Sequence, residues 1–240
     1  QYYRNRAEGH NIYVIDPDAG PELDLKSVTT VESLVSKPRG AISVANLAPG
    51  YGGKVSAAKR GYMLTDDRRT FVVRDEINLK QESGVYWFLH TQAQIDIRDD
   101  QTIFLTQNGK KLQLQLNVDA ADYSVYVMDA LPLPASPQSD KQNKNGGFHK
   151  IVIQFRDSGP VSITAKLCAA NEYQAGQALE DVPIDKWKIP DGDIKPLPML
   201  DGITADGKPL DGFAPDKTAY SIKLAPGYAG LPQIETQAQG

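Results

Sequence analysis

One cysteine, three histidines and two tryptophans in 240 residues leave little material for several kinds of protein. The lone cysteine, Cys168 in "ITAKLCAAN", excludes an internal disulfide framework and any cysteine-rich metal centre. Its apolar strand context reads as a buried, unreactive thiol. No apolar run approaches the roughly 20 residues that a bilayer-spanning helix needs, so no membrane span is expected. The start lacks a basic segment followed by an apolar one, and a secretion signal is expected to lie upstream or to have been removed. There is no cluster of Lys and Arg interleaved with aromatics, and the formal net charge is −4, so nucleic acid is not an expected partner. Neither a G-x-S-x-G elbow nor a Gly-rich phosphate loop is found. No stretch longer than a turn or two carries a helical period.

What is there is strand. "NIYVID", "RGYMLT", "TFVVRDEI", "GVYWFLHTQAQIDI", "TIFLTQ", "KLQLQLNV", "YSVYVMD", "HKIVIQF" and "VSITAKLCA" are β-branched or aromatic and mostly alternate in polarity. In "KLQLQL" Leu112, Leu114 and Leu116 share one face and Lys111, Gln113 and Gln115 the other, the pattern of an antiparallel strand with one wet side. The pair Asn108-Gly109 and the stretch Asp99 to Thr102 mark tight turns. The expected fold is all-β, a large antiparallel two-sheet β-sandwich with a short additional β unit at the C-terminus. We expect the sandwich over residues 1–180, a Pro-rich linker over 181–198 and a partial β unit over 199–240, with turns at Asp206-Gly207 and Asp216-Lys217. Leu131 to Gly147, Pro-rich and then polar, reads as a long exposed excursion.

Candidates for chemistry are few. Arg4, Arg6, Glu8, His10 and Asn11 gather cations, an acceptor and an ionisable ring within eight positions, as anion or metal sites often do. His90 and His149 read as strand residues without a ligand role. Asp16 and Asp18 in "IDPDAG" could ligate a metal, although turn chemistry suits them better. "TDDRRT" and "RDE" at Arg74 to Glu76 read as a charged hairpin tip. Tyr2, Tyr3, Tyr51 and Trp87 could stack on sugar rings, with core packing the better role for Trp87.

"YYRNRAEGHNIYVIDP", "RGYMLTDDRRTFVVRDEI" and "GVYWFLHTQAQIDI" together resemble the C-terminal β-sandwich of the heparinase II/III-like polysaccharide lyases, the group that includes exolytic alginate lyases. The resemblance runs from about Gln1 to Leu167 and is most specific at "AEGHN". It implies a parent protein in which an upstream α-helical toroid and this sandwich enclose a cleft that cleaves uronate-containing glycans by β-elimination. It also implies that His10 is a metal ligand with Asn11 beside it, while the charge of the cluster itself makes Arg4, Arg6, Glu8 and Asn11 the expected substrate-binding residues. A lone histidine cannot hold zinc, so zinc is expected only in a longer parent protein and none for this chain by itself. The expected partner is an acidic polysaccharide, alginate or glycosaminoglycan-like, and the expected role is non-catalytic. The alternative is a stand-alone carbohydrate-binding or structural sandwich. The tail, with Phe213 to Tyr220 as a Phe-x-Pro-Asp-x-x-x-Tyr step, resembles the opening of a cadherin-like or immunoglobulin-like module of secreted bacterial glycan-active proteins. That implies a periplasmic, extracellular or cell-surface home.

Overall fold

The computed structural model describes residues 2–66, 68–170, 179–194, 200–214, 220–228 and 230–238. It divides into two units, Gln1–Asp193 and Ile194–Gly240, and the first is all-β as expected. Its strands are β1 (Tyr13–Ile15), β2 (Thr30–Lys37), β3 (Gly40–Asn46), β4 (Val55–Thr65), β5 (Thr70–Thr91), β6 (Gln94–Ile97), β7 (Thr102–Gln107), β8 (Lys110–Asp119), β9 (Tyr123–Asp129) and β10 (His149–Ala169). They form one continuous antiparallel ladder in the order β2-β3-β4-β5-β10-β8-β7-β6, to which β1 adds on β5 and β9 on β10.

The sandwich comes from folding that ladder over. β5 and β10 pair along their whole lengths, but the register shifts where Ser83 and Leu79 face Asp157 and Gly159. Gly159 takes a left-handed φ of 72° there, as a bulge in a sharply bent strand requires. The second half of β5 and the first half of β10 carry β1 and β9 and make a short sheet. Their other halves continue into β4 and β8 and make a long one. Trp87 and Asp75 prove the fold-back. They lie on the same strand 12 residues apart, about 40 Å if it ran straight at roughly 3.3 Å per residue, yet the Trp87 Nε1–H donates to Asp75 Oδ2 at 2.9 Å.

Between the sheets lies one core. Tyr13, Ile15, Val85, Ile151 and Ile153 of the short sheet meet Ile77, Ile103, Leu114, Leu116 and Ile163 of the long one. Tyr13 and Tyr51 stack within it, 4.6 Å apart and 2° from parallel. Leu114 and Leu116 of "KLQLQL" point into the core as expected, but Leu112 is exposed and the expected wet face is covered at Gln113 and Gln115, which are buried. Asn108 and Gly109 both take positive φ at the β7–β8 turn, as a primed hairpin turn demands.

Three expectations change. "TFVVRDEI" with "GVYWFLH" and "HKIVIQF" with "VSITAKLCA" are not four strands but two bent ones, β5 and β10. "RDE" is not a hairpin tip. Arg74 and Asp75 are buried in mid-strand, and the turn lies earlier, where the Arg69 N–H donates to the Asp66 carbonyl. Residues 131–136 are not an open excursion either, because Leu133 and Ser136 are buried and Leu133 closes a second apolar cluster with Val14, Phe88 and Val152 on the outer side of the short sheet.

The Pro-rich stretch expected as a linker over 181–198 is docked over its first part. Glu76 Oε1 accepts the Ile184 N–H at 2.9 Å, Arg74 pairs with Asp181, and the Trp187 ring lies over Gly61 so closely that a Cβ there would sit 2.7 Å from it. The strap covers the outer face of the long sheet. The second unit is a small sheet of β11 (Leu200–Ala205), β12 (Lys208–Pro209) and β13 (Ile234–Ala238) in the order β12-β11-β13. Asp206 and Gly207 form its expected turn, both with positive φ. The Tyr220 hydroxyl donates to the Ala214 carbonyl at 2.7 Å, and Phe213 stacks on Tyr220. The turn expected at Asp216-Lys217 lies outside the described residues.

Candidate functional site

The opening segment makes two 3-10 turns, Tyr3–Asn5 and Ala7–Gly9, before β1. What holds so short a piece against the short sheet is a buried charge cluster. Arg6 donates through Nε to Glu8 Oε1 at 3.0 Å, through Nη1 to the Gly20 carbonyl at 3.0 Å and through Nη2 to the Asp18 carbonyl at 3.0 Å, and it pairs with Glu22. Glu22 Oε2 accepts the Ala7 N–H at 2.6 Å and Glu8 Oε2 the Leu133 N–H at 2.7 Å. Burial, and then the neighbouring Glu8 carboxylate, push the Glu22 pKa up, with Arg6 opposing both. Arg6 is 2% exposed and Glu8 0%. Both side chains are spent on holding the N-terminal turns to the loops at 18–22 and 133–136, where a substrate does not reach them.

His10, Asn11 and Arg4 are exposed and lie at the end of the short sheet. Asn11 Oδ1 accepts the His90 backbone N–H at 2.8 Å and lies 3.1 Å from His90 Nδ1, so that nitrogen carries the proton. Nε2 is then an acceptor, and the Tyr3 hydroxyl donates to it at 2.6 Å. Burial, then the Lys150 charge and then His10, lower the His90 pKa to about 4, consistent with a neutral imidazole. The Tyr3 pKa is raised, first by burial and then by Glu8 and Glu22, which makes its phenol a poor base. Lys150 is fully buried. Its ammonium donates to the Leu131 carbonyl at 2.8 Å and lies 4.9 Å and 4.7 Å from the Tyr3 and Phe88 ring centres. Burial lowers its pKa to about 8 against the pull of Glu8 and Glu22.

Zinc does not fit this arrangement. Tetrahedral zinc wants about four donors, both nitrogens of His90 are engaged, and no group of three or more His, Cys, Asp or Glu side chains that could hold a metal exists among the described residues. His10 is left with Asn11 beside it.

At Tyr3 the surface opens into a groove of about 280 Å³ lined by Tyr2, Tyr3, Arg4, Lys141, Gln142, Asn143 and Asn145. Gln142 bonds the Tyr3 backbone N–H, which ties the polar half of the 131–147 loop to the opening turns. The groove offers two cations, three amides and the ring of Tyr2, 51% exposed. Lys141, Gln142, Asn143 and Asn145 were not legible as site residues. Their only signal was a polar, Gly-flanked composition, and the register that folds them onto Tyr3 is tertiary.

The other sequence candidates are structural. Tyr3, Tyr51 and Trp87 are 2–3% exposed and cannot serve as sugar platforms. Asp16 Oδ1 accepts the Gly84 N–H and Asp18 Oδ1 the Gly20 N–H, each at 2.7 Å, as the turn chemistry of "IDPDAG" suggests. His149 faces Asp129 at 3.2 Å on the surface.

No protein-family model matches this sequence, and no curated protein matches it either. Solved structures do. The chain is similar to a heparinase III with methylated lysines, at 13% identity and a TM-score of 0.52 over 87% of this chain and 27% of that one. It is also similar to the heparan sulfate lyase HepC from Pedobacter heparinus, at 9% identity and a TM-score of 0.50 over 70% of this chain and 25% of that one. The chain thus spans about a quarter of the length of the structures it matches, and what it shares with that part of these heparinase chains is the fold.

Proposed function

We propose that this chain is the β-sandwich part of a polysaccharide lyase-like protein acting on uronate-containing glycans, and that it binds the acidic glycan without cleaving it. The observation that carries the reading is the groove where Arg4 and Lys141 meet three side-chain amides and an exposed tyrosine. Guanidinium and ammonium groups suit carboxylates and sulfates, amides suit sugar hydroxyls, and a tyrosine ring suits a pyranose face. The heparinase-like fold supports it.

β-Elimination needs a base for the proton beside the carboxyl and a group that neutralises that carboxyl. Arg4 can meet the second need. The buried phenol of the groove, Tyr3, has a raised pKa and donates its O–H to His90, so in this reading another part of the parent protein supplies the base. In this reading a metal joining His10 would take its other donors from there too, an upstream helical toroid supplies the facing wall, and the home is periplasmic or extracellular.

The test is titration of the chain with a uronate tetrasaccharide from heparan sulfate or alginate, alongside an assay for the unsaturated product. Binding weakened about tenfold in Arg4→Ala and in Lys141→Ala, near 1.4 kcal/mol, with no product, is the expected result. Product formed by the chain alone would overturn the non-catalytic part. No binding of either oligosaccharide would overturn the whole reading.

A further inference from the structure

We propose that the outer face of the short sheet carries a second glycan-binding site, for an uncharged pyranose chain, with Tyr86, Gln154 and Tyr126 as its floor. Alternate residues of neighbouring strands share a face. Tyr86 of β5 is therefore beside its register partner Gln154 of β10, and Tyr126 of β9, opposite Val152, is diagonal to Gln154. The three side chains are linked. The Tyr126 hydroxyl donates to Gln154 Oε1 at 2.6 Å, and Gln154 Nε2 donates to the Tyr86 oxygen at 3.1 Å. This directional chain leaves the Tyr86 O–H to donate and the Tyr126 oxygen to accept. Two partly buried rings linked through an amide offer apolar surface and hydrogen-bonding groups side by side, and a sugar ring presents both kinds of surface in return.

The three side chains line a groove of about 710 Å³ together with Asp16, Pro17, Asp18, Leu133, Pro134 and Ala135. That is within the roughly 300–1,000 Å³ of small-ligand sites.

Charge selects the ligand. The cation at the groove, Arg156, is bonded to Glu82 at 2.8 Å and lies 4.0 Å from Asp16, so its charge is already answered. Asp16 and Asp18 add carboxylates. A uronate or sulfate arriving here meets like charge, whereas sugar hydroxyls meet acceptors. The groove therefore differs in kind from the cationic one beside Arg4, and it does not rest on the reading of that site.

Titration of the whole chain with hexamers of β-1,4-linked glucose and of mannose, followed by calorimetry and ligand-observed NMR, tests the proposal. At least one hexamer is expected to bind, with its Kd weakened about tenfold by Tyr86→Ala and by Tyr126→Ala. Arg4→Ala should leave it unchanged. Tyr126→Phe, which keeps the ring and removes the bond to Gln154, should weaken binding while the melting curve stays that of the parent. It decides the matter if the alanine variants do not fold. Binding of neither hexamer, binding indifferent to Tyr126→Phe and to the alanine variants, or displacement by a uronate tetrasaccharide would each overturn the proposal.

Discussion

At the scale of the residue, the chain's opening shows how polar sequence can mean structure. Arg6 and Glu8 look like a binding pair because donors and acceptors crowd together, but sequence carries no record of Glu22 and Leu133 closing around them. Position decides between the two roles, and only the fold supplies position. Arg6→Ala strands two buried carboxylates and is expected to cost about 3–5 kcal/mol, as for other broken buried ion pairs; denaturant unfolding measures it. His90 makes a second prediction. Its folded pKa is lowered to about 4 from 6.5, so between those values the unfolded chain binds more protons than the folded one. Its contribution to stability is therefore whole above about pH 6.5 and falls away as the pH drops toward 4. NMR titration should find the His90 ring neutral at pH 6, and His90→Gln should flatten the stability profile across that window.

At the scale of the element, the Asn-Gly turn was enough to join β7 and β8, because that signal is local, whereas the alternation in "KLQLQL" placed Leu114 and Leu116 inside but could not show that Gln113 and Gln115 are covered as well. β2 and β3 gave no such signal. β2 is an edge strand exposed along almost its whole length, with Val31 and Leu34 open to solvent, and without a buried face there is no binary pattern to read. β5 and β10 were legible in halves, since the turn residues at their midpoint mark a bend rather than an end. The docked strap was read as a linker because its prolines are visible and its partners on β5 are not. Gly61 is its seat. Gly61→Ala sets a Cβ 2.7 Å from the Trp187 ring, and the expected cost is that of overpacking, about 1–3 kcal/mol. Faster amide exchange at Ile184 and Trp187 than in the core strands would report the lifted strap.

At the scale of the whole molecule, all-β architecture was readable throughout, and the two units divide after Asp193, within the stretch 181–198 read as a Pro-rich linker. The first unit owns both apolar clusters. A chain ending at Asp193 is expected to unfold in one transition with an unchanged midpoint, and a markedly lower midpoint would refute that independence. Among the described residues no helix is long and apolar enough to cross a membrane. The scarcity of tryptophan has a practical side. One indole, Trp87, is held by Asp75 across the fold of β5, and the other, Trp187, lies in the strap with its Nε1–H on the Val182 carbonyl. The protein thus carries two indole fluorophores that see different events. With Trp187→Phe the remaining emission follows the closing of the two sheets on each other, and with Trp87→Phe it follows the strap, so the order in which the molecule comes apart can be watched in a cuvette without any attached dye.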